Sequence, residues 1–250
     1  MIEVPPLERL GSSSIRCFRP AEWSRMNVLP LFSLFAFILM LVLLPLVFGE
    51  LMATSLAKLH LSPEMALLLM MAIIIGGFVN IPVKRIAHER VVPMHPLAVI
   101  GLGGFWPGMV RERRETIIAV NFGGCVVPTG LAVYELLLLS AAGAPALLAL
   151  LVTAGVNIVV CYFVARPVQG VGILLPGLVP AAVAALLALI FAPGDAAPVA
   201  YVAGVAGPLI GADLLHLREI EQSAVGVASI GGAGTFDGIV LSGIVAAYLA

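Results

Sequence analysis

The chain carries little charge. Asp, Glu, Lys and Arg make up 11% of its 250 residues, against about 25% in soluble proteins. A soluble exterior needs polar cover, so a water-soluble enzyme is excluded. Cysteine is nearly absent. Cys17, Cys125 and Cys161 have no metal-ligand spacing, which removes a disulfide scaffold and a thiolate site. Two of them sit in apolar runs, and all three read as packing thiols. Histidine is scarce and unclustered, so neither a metal nor another cofactor is expected. A net charge of −1 lacks the basic excess that nucleic acid demands, and no nucleic-acid partner is expected. Apolar residues are what the chain has: 61% are hydrophobic and the mean hydropathy is +1.13. A disordered chain is thereby excluded as well. The sequence reads as a multi-pass membrane protein whose first partner is the lipid bilayer.

A spanning helix needs about 20 mainly apolar residues. Seven runs meet or approach that: Val28–Gly49, Met65–Val83, Ile117–Ala141, Ala146–Ala165, Val171–Phe191, Pro198–Leu217 and a last one ending at Ala250. The first exceeds the roughly 7–15-residue core of a signal peptide, so it reads as an anchor. Twelve of the thirteen basic residues lie before the first run or in the loops on that same side; Lys58 stands opposite. The positive-inside rule makes that side cytoplasmic. The expectation is an all-α fold of seven membrane helices, several kinked or broken, in a prokaryotic inner membrane. Residues 1–27 form a cytoplasmic segment and residues 28–250 the membrane domain. The N-terminus lies in the cytoplasm and the C-terminus outside.

Within that domain, the cytoplasmic segment Lys84–Thr116 holds a short apolar stretch broken by Gly101, Gly103, Gly104, Pro107 and Gly108. Its flanks His95–Ile100 and Met109–Ile117 are expected to pair as a β-hairpin around that turn. A re-entrant loop is the competing reading. Arg111, Arg113 and Arg114 favour the hairpin, since they hold it at an anionic surface.

Polar residues at membrane depth each need an account. Asn80, Asn121 and Asn157 each follow a valine and fall in the cytoplasmic half of a span. They serve as interhelical hydrogen bonds or line one polar chamber. Pro82, Pro128, Pro176 and Pro180, with Gly123-Gly124 and Gly170-x-Gly172, are expected to kink or break helices. Such breaks are tolerated where protein or a water-filled cavity satisfies the freed carbonyls.

Most of the chemistry lies near the C-terminus, in Gly211–Leu217 and Ser229–Gly238. Asp213 precedes Arg218 by five residues, about 7 Å from the cytoplasmic end of its span. Gly231, Gly232 and Gly234 make a poor helix interior. Thr235 is a good N-cap, and an acid in the first turn suits the helix dipole. A final span over Thr235–Ala250 then sets Asp237 at the depth of Asp213. Two carboxylates in low dielectric share a proton, one as base and one as acid. The alternative gives each acid a local role, Asp237 at a helix start and Asp213 paired with His216 or Arg218. His216 lies on the helix face of Asp213. His60, His88 and His95 form no constellation.

The stretches Val79–Pro82, Ala119–Pro128, Gln169–Pro180, Ile210–Leu217 and Ala228–Ile239 together resemble one prokaryotic membrane-protein family, domain-of-unknown-function family 1614. The resemblance covers roughly Pro30–Ala250 and implies a multi-span domain without an established activity. A weaker, partial likeness is to intramembrane aspartyl proteases of the presenilin and signal-peptide-peptidase type. It implies Asp213 and Asp237 as catalytic residues. Phe236 stands where that motif has its second glycine, and no Tyr precedes Asp213.

Two functions follow from these residues. One is a di-aspartate hydrolase acting on a membrane-embedded peptide at the cytoplasmic side, with water admitted near Asn121 and Asn157. The other is a carrier or channel for a small solute or ion, in which the same aspartates bind a cation or proton.

Overall fold

A computed structural model describes residues 20–93, 109–168, 172–223 and 226–250. Cys17, His95 and the glycine-rich turn lie outside the described residues. The chain divides into two units, Met1–Phe48 and Gly49–Ala250. The described part of the first unit is helix α1 (Pro20–Ala57), whose end from Gly49 belongs to the second. Its stretch Phe32–Ala57 is long and apolar enough to cross a membrane.

The second unit continues with α2 (Pro63–Gly76), β1 (Asn80–Pro93) and β2 (Met109–Asn121). A π-helical turn (Phe122–Val126) leads into α3 (Val127–Ala142), and α4 (Ala144–Val164) follows. A small hairpin, β3 (Arg166–Val168) and β4 (Gly172–Leu174), precedes α5 (Leu178–Phe191). Helix α6 (Ala196–Ala206) runs on as a π-helical stretch (Gly207–Leu214). After α7 (Leu217–Ser223), β5 (Gly226–Ile230) and a 3-10 turn (Gly234–Phe236), α8 (Gly238–Leu249) ends the chain.

Each of the seven apolar runs contains a helix, but among the described residues four reach spanning length: Phe32–Ala57, Phe122–Ala142, Ala144–Val164 and Ala196–Leu214. The other three, α2, α5 and α8, have 12 to 14 residues. At 1.5 Å per residue they fall short of a hydrocarbon core about 30 Å thick. The protein is a mostly helical membrane protein with a small sheet, not an all-α fold. The outward faces agree with a lipid surround: Leu137, Leu148, Phe163, Leu186 and Ile190 are more than 60% exposed, which water would not tolerate as a continuous surface.

The second and third runs overshot their helices because apolar content does not distinguish strand from helix. Ile81, Val83, Ile117, Ile118 and Val120 are β-branched, and they belong to β1 and β2. The hairpin is present but longer than expected and differently built. Met109–Asn121 pairs with Asn80–Pro93, the antiparallel register running from Asn80 opposite Asn121 to Pro93 opposite Met109, while His95–Ile100 lies outside the described residues. Strand β5 adds to β2 in parallel, Thr116 opposite Gly226 through Val120 opposite Ile230. That strand lay hidden in the approach to the last span.

The expected proline breaks are met in part: Pro128 directly follows the π-helical turn inside the continuous helix Phe122–Ala142, whereas Pro82 sits at a register shift in β1 and Pro180 in the first turn of α5. Pro176 precedes α5. Proline fits a helix start because its missing N–H is unpaired there anyway.

Helix α6 is the core. Val199, Ala200, Tyr201, Ala203 and Val205 are at most 1% exposed. It packs against α3, α4, α5 and α8. Small side chains let backbones approach closely where lipid offers no hydrophobic drive. At Gly204 an added Cβ would meet the Ser242 carbonyl and the Gly243 Cα.

Candidate functional site

The site grows from one end of the sheet. Asn121, the last residue of β2, is fully buried. Its Nδ2 donates to the Gly77 carbonyl at 2.8 Å and to Asn80 Oδ1 at 3.1 Å. Its Oδ1 accepts the Gly124 N–H at 2.7 Å, capping the π-helical turn where backbone donors have no helical partner. The Ser229 hydroxyl donates to Asn80 Oδ1 at 2.6 Å. Two asparagines thus tie the three strands to the entry of α3.

Glycines let this corner close. Gly124 crosses Gly231 so tightly that a Cβ on either would strike the other's backbone. Gly231 and Gly234 have φ of +72° and +60°, which side chains with a Cβ rarely adopt. Gly232 is exposed, its N–H donating to the Ser229 carbonyl at 3.1 Å. The turn delivers Asp237 to the start of α8. Thr235 lies in the 3-10 turn, and Asp237 itself is the N-cap, correcting the expected order. Its Oδ1 accepts the Ile239 N–H at 3.0 Å and its Oδ2 the Ala233 N–H at 3.4 Å.

Asp213 arrives from the broken end of α6. Pro208 has no N–H to offer the preceding turn and its ring crowds it; from Gly207 the helix widens, and Leu215 N–H reaches back five residues to the Ile210 carbonyl at 3.0 Å. Gly207 and Gly211 let this stretch lie on α4, since a Cβ there would strike Asn157 and the Ile158 carbonyl. Asp213 is half-buried and within electrostatic reach of Asp237. Among the described residues it makes no hydrogen bond or ion pair. Cys125, at the π-helical turn, lies within reach of both acids; like Cys161 it is a free, buried thiol.

The remaining predicted residues go elsewhere. His216 does not pair with Asp213. It is buried and stacked on Tyr162 at 4.8 Å, and its Nδ1 donates to the Ala212 and Gly211 carbonyls at 3.0 and 3.2 Å. It therefore satisfies carbonyls loosened by the π-helical stretch. Asn157, on α4, donates to the Ala203 carbonyl at 2.8 Å and shares no partner with Asn80 or Asn121. Asn80 and Asn121 meet and Asn157 does not join them; their contacts are interstrand, capping and interhelical hydrogen bonds.

One acid escaped the sequence reading. Glu135 lies within the third apolar run and is fully buried, where it binds His60. The signal was present, because a carboxylate inside an apolar run requires a partner.

A family model described as protein of unknown function (DUF1614) matches residues 74–249. The match takes in both strands of the hairpin, the glycine corner and both aspartates. No curated protein and no solved structure matches the chain. The likeness to intramembrane proteases gains no support from any of these findings. By its sequence from the end of α2 to the end of α8, the chain belongs to the DUF1614 family.

Proposed function

We propose that the protein is a multi-pass carrier that moves a proton or small solute across the bilayer, with Asp213 and Asp237 as its ion-binding groups. The observation that carries this reading is Asp213, an acid without a protein partner among the described residues, in the π-helical break of a span-length helix. π-helical interruptions concentrate at functional sites. Broken helices and membrane-buried acids mark ion pathways. The second acid within electrostatic reach gives a cation or proton two carboxylates to answer. The topology proposed with it is seven apolar helices in a prokaryotic inner membrane, N-terminus cytoplasmic and C-terminus outside, supported by the one-sided basic residues.

The di-aspartate hydrolase uses the same two residues and needs them to share a proton. Both Asp237 oxygens accept backbone N–H groups, which favours a capping carboxylate over a catalytic partner. Proteoliposomes separate the readings. Under an imposed membrane potential, wild-type protein should acidify or alkalinise a vesicle containing a pH-sensitive dye, and Asp213→Asn should abolish that flux. Cleavage of a model membrane peptide without flux would favour the hydrolase. Flux unchanged in Asp213→Asn would remove Asp213 from the pathway.

A further inference from the structure

A second polar site stands apart from the aspartates, where the loop after α1 meets α3. Glu135 is 0% exposed, and one residue takes both its oxygens. Oε1 accepts the His60 backbone N–H at 3.1 Å, and Oε2 pairs with ring Nδ1 at 2.8 Å. The Tyr134 hydroxyl donates to the His60 carbonyl at 3.1 Å. His60 is therefore held at three points, yet its side chain is 49% exposed. With Nδ1 committed, Nε2 is the ring nitrogen left for a ligand. A carboxylate behind an imidazole fixes its tautomer and leaves the far nitrogen as the acceptor.

Beside this pair lies a cavity of about 420 Å³ lined by His60, Leu61, Met65, Leu69, Leu131 and Tyr134, among others. That volume suits a small molecule. Ser62 also lines it, but its hydroxyl already caps α2 by accepting the Met65 N–H. The cavity thus has one basic nitrogen at an otherwise apolar wall.

We propose that this cavity binds a small monocarboxylic acid with an apolar body, the head at His60 Nε2 and the chain along Leu61, Met65, Leu69 and Leu131. The acid O–H gives its proton to Nε2, and the imidazolium then stands between the ligand carboxylate and Glu135. Nothing is oxidised or reduced, and the one proton moves from oxygen to nitrogen. Groups that bear on this titration are Glu135 and Tyr134 on α3, and Tyr201 on α6, which faces Glu135. Glu64 in the first turn of α2 and Lys58 at the foot of α1, held on the Tyr248 carbonyl, complete the set. The proposal does not depend on the carrier reading.

Equilibrium binding of radiolabelled octanoate to the full chain in phosphatidylcholine nanodiscs, with empty discs subtracted, tests it. Saturable binding is expected. Binding should weaken as pH rises, because the complex holds the acid proton that free octanoate has lost. 1-Octanol, which has no acid proton to give, should bind at least tenfold more weakly. His60→Gln removes the base and Leu69→Trp fills the apolar end; each should weaken octanoate binding at least tenfold. If one variant does not fold, the other and the wild-type pH dependence decide. Absence of saturable binding overturns the proposal. So does octanol binding as tightly as octanoate, or His60→Gln binding as wild type; either outcome would make the cavity an acyl-chain slot.

Discussion

Asn121 and Asn157 are both fully buried, yet their removal should have unequal effects. Asn121 carries the Gly124 N–H, which has no helical acceptor at the start of its turn. Truncation to Ala strands that donor, and a buried unsatisfied group costs about 1–3 kcal/mol. Asn157 donates to the Ala203 carbonyl, which the Gly207 N–H also reaches, and its own Oδ1 has no partner. Asn157→Ala should therefore lose about 1 kcal/mol or less. Unfolding in detergent with each variant checks the order.

The tightest joint between elements is the glycine crossing. Gly124→Ala would drive a Cβ into the Gly231 carbonyl, an overpacking worth at least about 1–3 kcal/mol. Gly130, six residues later in α3, has nothing within 4 Å of a Cβ. Gly130→Ala should be neutral or stabilising by up to about 1 kcal/mol through helix propensity. Melting both variants side by side tests whether contact or helix propensity governs these positions. The asymmetry was not readable from composition, since both are glycines near the start of one apolar run. Pro208 likewise looked ordinary beside the other prolines. It opens the π-helical stretch because it stands past the first turn of its helix, as Pro128 does behind the π-helical turn Phe122–Val126, whereas Pro180 stands at a helix start.

For the molecule as a whole, the basic asymmetry makes a direct prediction. A reporter active only in the cytoplasm should work when inserted within Lys84–Arg114 and fall silent when fused after Ala250. Activity at both places would leave an even number of crossings. One of the short helices after the insertion, α5 or α8, would then lie at the interface, and their 14 and 12 residues make them the elements to test.

The membrane class, the apolar helices and the importance of the glycine-rich turn near Asp237 were determined by the sequence alone, because they follow from local composition. Hydrophobic runs must leave water, and adjacent glycines cannot sustain a helix. What tertiary structure decided was partnership. Strand β5 gains its identity from an edge of β2 that lies more than a hundred residues earlier in the chain. Asn80 and Asn121 meet because β1 and β2 pair in register, while Asn157, in the same kind of sequence context, meets a different helix. His60 and Glu135 are 75 residues apart and each looked solitary. Only packing of the loop after α1 against α3 brings the imidazole to the carboxyl group, because burying so polar a group without a hydrogen-bond partner would be too unfavourable.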